Sequence, residues 1–593
     1  MIPKVTVKWL AAHYTKREEM IPMRDGIRLY TAIYEPVGMH MRPVIMERSC
    51  YGFHPYGKTL SRDLRTRLDA FVAGGYIIVF QNVRGTYLSE GHFENISPFH
   101  PAIQGTDTVE ATDTWDTAEW IINHCDTNGS IGVKGISYPG FHATLAALSG
   151  HPAIKAVSPQ APVTDWFLGD DAHMNGAFQY AMTTFGASFF RPRSKPGLRW
   201  PKPVFPVVGD YYRFFLDKGM KGVNELLSGK VEFWDEFTHH PCYDSWWAER
   251  NPALHLRDVR HAMLVVGGWY DGEDCYGTFE TWRRLKAQSP QTPAFLVAGP
   301  WYHGGWKKKG YSELGPADFG PGSAEHFLYE IEYPFFCHFL EGVPHEVFSR
   351  PEGAALILPS AETMKGQASV HQWETLPEWP PRSHMDTWYL ANNGRLSRRT
   401  GDQSYTYCSN PRLPVPSLRE PGMEWDRTAQ VADQRFAARR QDVLVFASVP
   451  LQKPLAVEGC VKVHLEVRLD TDDADFVVKL IDRRPDGVQM LVRAGVMPAR
   501  FREGFDHAVP VKPGETTVLE WTLNDLAHHF QPGHRLMVQV QGSWFPQIAM
   551  NPQRFFPNPF MAGPQDAREA MVTLLPGSRI ELPVVDTSGR NGI

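Results

Sequence analysis

The chain has 593 residues, 42% hydrophobic and 21% charged, with 60 Lys and Arg against 66 Asp and Glu. That length exceeds one hydrophobic core and calls for several domains. A formal net charge of −6 leaves no cationic footprint for nucleic acid, and seven singly spaced cysteines without a CxxC pair oppose a zinc ribbon or a full disulfide framework.

The N-terminal stretch "MIPKVTVKWLAAHYTKREEM" has no apolar signal core, and no run of about 18 apolar residues marks a membrane span. A cytoplasmic protein without membrane contact is expected. Short β-branched runs follow: "PVIME" (43–47), "YIIVF" (76–80), "GSIGVKGIS" (129–137) and "AIKAVSPQAP" (153–162). They alternate with helical patterns, which predicts a mostly parallel sheet covered on both faces.

Residues 166–254 are aromatic-rich and irregular, with Trp166, Phe167, Phe178, Tyr180, Phe185, Phe189 and Phe190, and read as an inserted helical cap. The α/β signal returns with "HAMLVVGG" (261–268), "AFLVAG" (294–299) and an amphipathic helix over 324–341. Beyond 350, "VKVHLEVRL", "DFVVKLIDR" and "HRLMVQVQGSW" alternate with period two, as strands of an all-β sandwich or jelly roll do. The expected order is thus an α/β sheet domain (1–165 and 255–349), its cap (166–254), and a β domain (350–593).

"VKGISYPGF" (133–141) ends a strand and opens a small-residue helix, the setting of a nucleophile elbow. Ser137 would stand at the corner. The G-x-S-x-G pattern is broken by Pro139, which the first helical turn tolerates. An ordinary strand–helix turn is the plainer alternative. In α/β-hydrolases the orienting acid and the base follow the nucleophile in chain order, from later strand ends. Asp271 follows "HAMLVVGGWY" and His303 follows "AFLVAGPWY", so Ser137, Asp271 and His303 are the candidate triad. An oxyanion hole takes two donors: the backbone N–H of Tyr138, and one from the loop "ERSCYGFHPYG" (47–57), where Tyr51 either donates its hydroxyl or packs on its neighbours.

Taken together, "YTKREEMIPMRDGIRLYTAIYEP", "QNVRGTYLSEGHF", "GISYPG", "GWYDGED", "GPWYHG" and "SWFPQIAMNPQ" resemble the CocE/NonD group of serine hydrolases. That group includes the Xaa-Pro dipeptidyl-peptidase (S15) relatives, and the likeness is greatest to the α-amino acid ester hydrolases. It runs from about residue 13 to near the C-terminus and implies an α/β-hydrolase domain with an inserted helical cap plus a C-terminal jelly roll. The same triad and oxyanion donors, Tyr51 and Tyr138, are implied. The family's usual Pro, Asp and Asp stand here as Cys50, Gly52 and Asn82. Arg84 in "QNVRG" reads as a loop-fixing ion pair.

The resemblance also assigns Glu273, Asp274 and a third acid at the cap entry to gripping a substrate α-ammonium. Asp171 matches that third position better than its neighbour Asp170. The alternative for Glu273 and Asp274 is capping of the helix that starts near Cys275. Small-molecule α-amino acyl esters and α-amino β-lactam amides are the implied substrates, by hydrolysis and by acyl transfer. A plain cocaine-esterase-like carboxylesterase, a glutaryl-type acylase, a dipeptidyl-peptidase and a jelly-roll binding protein with an inactive hydrolase domain are the rivals. Relatives of the amino-ester type form tetramers, so a homo-oligomer, dimer or tetramer, is admitted. They usually carry a secretion signal, which this chain does not show.

"DTDDAD" (470–475) lacks the Gly and Glu of an EF-hand and reads as a turn between strands. Lys307, Lys308 and Lys309 read as a solvated loop, with steering of an anionic leaving group as the alternative. No HExxH, phosphate-loop or GxGxxG element occurs, so no metal and no nucleotide cofactor are expected.

Overall fold

The computed structural model describes residues 4–100, 110–180, 195–199, 204, 209–360, 373–420 and 426–587. Phe185, Phe189 and Phe190 lie outside the described residues. Ten strands form the first sheet, in the order β1-β2-β4-β3-β5-β6-β9-β10-β13-β14. They are β1 (Tyr14–Pro22), β2 (Arg28–Pro36), β3 (Arg42–Ser49), β4 (Ile77–Asn82), β5 (Thr127–Ile136), β6 (Ile154–Gln160), β9 (Ala262–Gly268), β10 (Ala294–Gly299), β13 (Ala354–Ile357) and β14 (Glu374–Leu376). Two short hairpins fall between them, β7–β8 (His173–Met174 and Ala177–Phe178) and β11–β12 (Glu313–Leu314 and Ala317–Asp318). β13 and β14 hydrogen-bond into this sheet although they follow residue 349.

From β4 through β13 every pairing is parallel. The loops that follow β3, β5, β9 and β10 therefore leave from one edge. β3 and β5 are neighbours, and the chain order reverses between them, which is where open α/β sheets place their ligands. β4, β9 and β10 are buried at every position, as apolar strands beneath packed helices are. Helix Tyr138–Ser149 packs on β3, β5 and β6, and helix Tyr333–Glu341 on β5 and β6. The chain is helical from 323 to 341, with a wider-wound segment at Phe327–Glu332.

The cap entry, with the β7–β8 hairpin and helices Tyr211–Leu227, Glu232–Thr238 and Ser245–Glu249, buries Trp166, Phe167, Phe178, Tyr180, Phe237 and Trp247. The same cluster takes in Phe501, Phe545 and Phe560 from the C-terminal unit, so the cap and that unit share a core.

The C-terminal unit is all β and almost wholly antiparallel. Thr516–Thr522 alternates buried and exposed positions, the pattern of a half-buried strand. The period-two reading fails in "DFVVKLIDR": Asp475–Arg483 is buried at all but its last position. Its polar residues are buried with partners: Lys479 donates to Gln434 (2.9 Å), and Asp482 accepts from His528 (3.0 Å) and His534 (2.8 Å). "DTDDAD" is a turn whose acids each hold a neighbour. Asp470 accepts from Met571 N–H, Asp472 from Phe555 N–H, Asp473 from Arg500, and Asp475 from Asn551. All seven cysteines are free thiols. Among the described residues, no helix is long and apolar enough to cross a membrane.

Candidate active site

Ser137 sits between β5 and helix Tyr138–Ser149 with φ 69° and ψ −129°, a conformation non-glycine residues avoid. Three backbone bonds hold it there. Its N–H donates to Gln160 O at the end of β6 (2.9 Å), and its carbonyl accepts from Gly140 (2.7 Å) and Phe141 (3.2 Å). Position 135 must be glycine, because a Cβ there would overlap the Pro139 carbonyl oxygen. Pro139 falls in the first helical turn. The broken G-x-S-x-G pattern therefore still folds as a sharp strand–helix corner.

Asp271 lies just past β9 and is 2% exposed. Its Oδ1 accepts from the backbone N–H groups of Glu273 (2.9 Å) and Asp274 (3.0 Å), which fixes the turn. Its Oδ2 is 2.9 Å from His303 Nδ1, beyond β10. A Cβ built on Gly304 would lie 3.9 Å from Ile136, so the loop carrying His303 comes close to the end of β5. The Tyr51 phenol, after β3, is hydrogen-bonded to the Ser137 side chain. Its ring meets the Tyr138 ring edge-on, centroids 6.4 Å apart. Tyr51 thus packs on its neighbours and also reaches the serine. Its outer face is open, at 46% exposure. Loss of water around the hydroxyl, with Cys50 and Asp171 nearby, pushes its pKa well up and keeps it a proton donor. Tyr138 begins the helix, and its own hydroxyl donates to Asn95 (2.8 Å).

The acids crowd round the imidazole. Glu273 Oε2 is 3.5 Å from His303 Nε2, and Asp274 Oδ2 is 3.8 Å from Nδ1. Asp274 stands at the N-cap of helix Cys275–Gln288 but makes no side-chain capping bond. It is fully buried and neither carboxylate oxygen has a hydrogen-bond partner, so the capping alternative does not describe its side chain. Asp170 has other work. It accepts from Thr164 N–H and Oγ1, Asp165 N–H and Gly277 N–H, all within 3.0 Å, and so ties the cap entry to that helix. Asp171 instead faces the cluster, feeling Glu273 most among the charges and then His303.

Burial raises the carboxyl pKa of Asp171, Glu273 and Asp274, and the acids raise one another further. Burial works against the His303 imidazolium, but Asp271 and Glu273 outweigh it and lift His303 to about 9. A cation entering here would relieve the repulsion among the carboxylates.

Positions 50, 52 and 82 depart from the family pattern. Cys50 is fully buried. Gly52 has φ 78°, and a Cβ there would lie 2.5 Å from the Tyr87 ring, which takes the space an aspartate side chain needs. Asn82 is buried, with Nδ2 donating to Tyr56 Oη (3.5 Å). Arg84 pairs with Asp25 and Asp113, both at 2.7 Å, as expected.

Two features had no local signal in the sequence. A buried chain runs from Tyr270, beside Asp271, through Ser360 (2.5 Å) to His528 (3.4 Å), then Asp482 (3.0 Å) and His534 (2.8 Å). The C-terminal unit also reaches the acid turn directly, since a Cβ on Gly272 would lie 2.5 Å from Gln430 Nε2. Sequence separations of up to 168 residues between partners hide both. Elsewhere, ligand atoms of Glu374, Glu458 and His529 lie within 4.8 Å of one another, with His529 Nε2 3.0 Å from Glu458.

Residues 25–305 match the X-Pro dipeptidyl-peptidase (S15 family) model, and 359–555 match that of the X-Pro dipeptidyl-peptidase C-terminal non-catalytic domain. An α-amino acid ester hydrolase of known structure superposes with a TM-score of 0.88 at 32% identity, over 98% of both chains. An aminopeptidase from a marine sediment Thaumarchaeota archaeon gives 0.88 and 32%, over 97% of both. The cocaine esterase of Rhodococcus sp. (strain MB1 Bresler) is 27% identical, over 90% of this chain and 91% of that protein. With an α/β-hydrolase sheet, a separate all-β unit and these matches along nearly its whole length, the chain belongs to the CocE/NonD, peptidase S15-like family of serine hydrolases.

Proposed function

We propose that the protein is an acyl-transferring serine hydrolase selective for acyl groups with a free α-amine: α-amino acid esters and α-amino β-lactam amides. Convergence of Asp171, Glu273 and Asp274 on the His303 imidazole carries this reading. The substrate ammonium takes charge-assisted hydrogen bonds from the acids and relieves their repulsion. An ester lacking the amine leaves that repulsion in place.

His303, with Nδ1–H held by Asp271, takes the Ser137 proton on Nε2 as Oγ attacks the carbonyl carbon. The Tyr51 hydroxyl and Tyr138 N–H hold the oxyanion. His303 then protonates the leaving group as the acyl–oxygen or acyl–nitrogen bond breaks. Water or an amine gives its proton to His303, attacks the acyl-enzyme and restores the Ser137 hydroxyl. The two relatives at 32% identity support the amine requirement, since an aminopeptidase and an α-amino acid ester hydrolase are both named for acyl groups bearing an α-amine. A glutaryl-type acylase would need a basic pocket where the acids stand.

Labelling by a fluorophosphonate tests the chemistry. Wild type takes up one phosphonyl group at Ser137, and Ser137→Ala takes up none and loses ester hydrolysis by about a thousandfold or more. Equal labelling of both proteins overturns the assignment.

A further inference from the structure

Tyr302 directly precedes His303, and its ring is shared by two cations from different parts of the chain. The Arg427 guanidinium lies 4.8 Å from the ring centroid and Lys308 Nζ 5.9 Å from it. Arg427 belongs to the short helix Arg427–Val431 of the C-terminal unit, whose Gln430 abuts Gly272 in the acid turn. Both cations are exposed. Among the described residues, neither has a carboxylate within ion-pair distance. Asp426 turns back onto Thr428, accepting from its N–H (2.8 Å) and Oγ1 (2.6 Å). Lys309, by contrast, is tied to Asp69 at 2.8 Å. Glu273 feels Arg427 and Lys307 as well as His303, so Arg427 lies within electrostatic reach of the acids.

We infer that Arg427 and Lys308, arranged on Tyr302, form a leaving-group subsite that takes a carboxylate. The inference rests on the α-amine reading of the inner site. In an α-aminoacyl substrate the ammonium and the leaving group are attached on opposite sides of the scissile carbonyl. Acids that take the ammonium therefore direct the leaving group away from themselves. A basic rim beside the catalytic histidine matches a leaving group with a negative charge. Stacking on an aromatic ring orients a guanidinium and leaves its edge N–H groups to grip a carboxylate in bidentate fashion. The preferred substrates are then zwitterions across the scissile bond: α-aminoacyl amides or esters whose departing amine or alcohol carries a carboxylate.

The test pairs the phenylglycine ester of glycolate with that of glycolamide, its uncharged counterpart, and measures kcat/KM for each. Wild type should favour the glycolate ester by about fivefold, corrected for alkaline hydrolysis rates, the scale of one exposed ion pair. That ratio should fall with added NaCl, since an exposed pair is screened. It should collapse towards unity in Arg427→Gln/Lys308→Gln, while preference for phenylglycyl over phenylacetyl esters persists in that variant. An unchanged ratio in the double variant overturns the subsite, and so does a salt-independent ratio in wild type. Loss of the amine preference alone would show that the cations serve Glu273 and would equally overturn it. Absence of the amine preference in wild type sinks the inner-site reading instead, while the glycolate ratio still judges the rim.

Discussion

His303 Nε2 lies 3.5 Å from Glu273 Oε2, so the nitrogen we propose to serve Ser137 faces a carboxylate. With Asp271 on the other nitrogen, the surrounding carboxylates favour an imidazolium, and His303 is lifted to about 9. A general base must be neutral, so activity is lost as pH falls below that value. For phenylacetic methyl ester, which brings no cation, kcat/KM should rise with pH to a midpoint of about 9. Glu273→Gln removes one raising charge and should move that midpoint down by about one pH unit. For phenylglycine methyl ester the ammonium neutralises the acids, so the kcat midpoint should lie below the kcat/KM midpoint of the neutral ester. Profiles from pH 6 to 10 check all three. A wild-type midpoint at the ordinary histidine value would contradict the electrostatics.

Asp271→Asn keeps an acceptor for the Glu273 and Asp274 N–H groups but turns a donor or a neutral oxygen toward His303. The fold should survive, while kcat drops by about ten-thousandfold through loss of the imidazole's orientation. Circular dichroism and steady-state kinetics on the same sample read both outcomes.

Asp274 is buried without hydrogen bonds, which costs the fold stability. Its pKa is raised in the folded state, so the native protein holds a proton that the unfolded chain releases, and stability falls as pH rises through that window. Asp274→Asn should stabilise the protein by about 1–3 kcal/mol. The gain in Tm should be larger at pH 8 than at pH 4.5, and the preference for α-amino esters should weaken. A lower Tm at pH 8 would show that the carboxylate supports the fold.

Gly135→Ala places a methyl group on the Pro139 carbonyl oxygen, which is backbone and cannot swing aside. A loss of about 2 kcal/mol or more is expected, together with reduced kcat as Ser137 shifts. Urea unfolding and ester hydrolysis measure the two effects.

The parallel core strands were legible because runs such as "YIIVF" and "AFLVAG" are apolar at nearly every position, which only a strand buried on both faces needs. Chain order and strand ends point to Asp271 and His303 among many acids and 24 histidines, and the two side chains meet at 2.9 Å. "DFVVKLIDR" misleads because polar residues in a strand need not be exposed. Lys479 and Asp482 are buried polar groups with partners from distant strands, and such pairing leaves no periodic trace. The Asp170–Asp171 ambiguity was local in sequence but tertiary in cause, since only the position of Gly277 shows which carboxylate is already engaged. Arg427 gave no signal because its value lies in Tyr302, more than a hundred residues earlier.

The central claim is that the acids beside His303 select an α-ammonium. Comparing kcat/KM for phenylglycine methyl ester with phenylacetic methyl ester at one pH tests it most directly. We predict at least about tenfold preference for the amine, on the order of 1.4 kcal/mol, falling towards unity in Glu273→Gln and Asp274→Asn. Equal rates for the two esters in wild type would contradict the claim and leave an esterase indifferent to the amine.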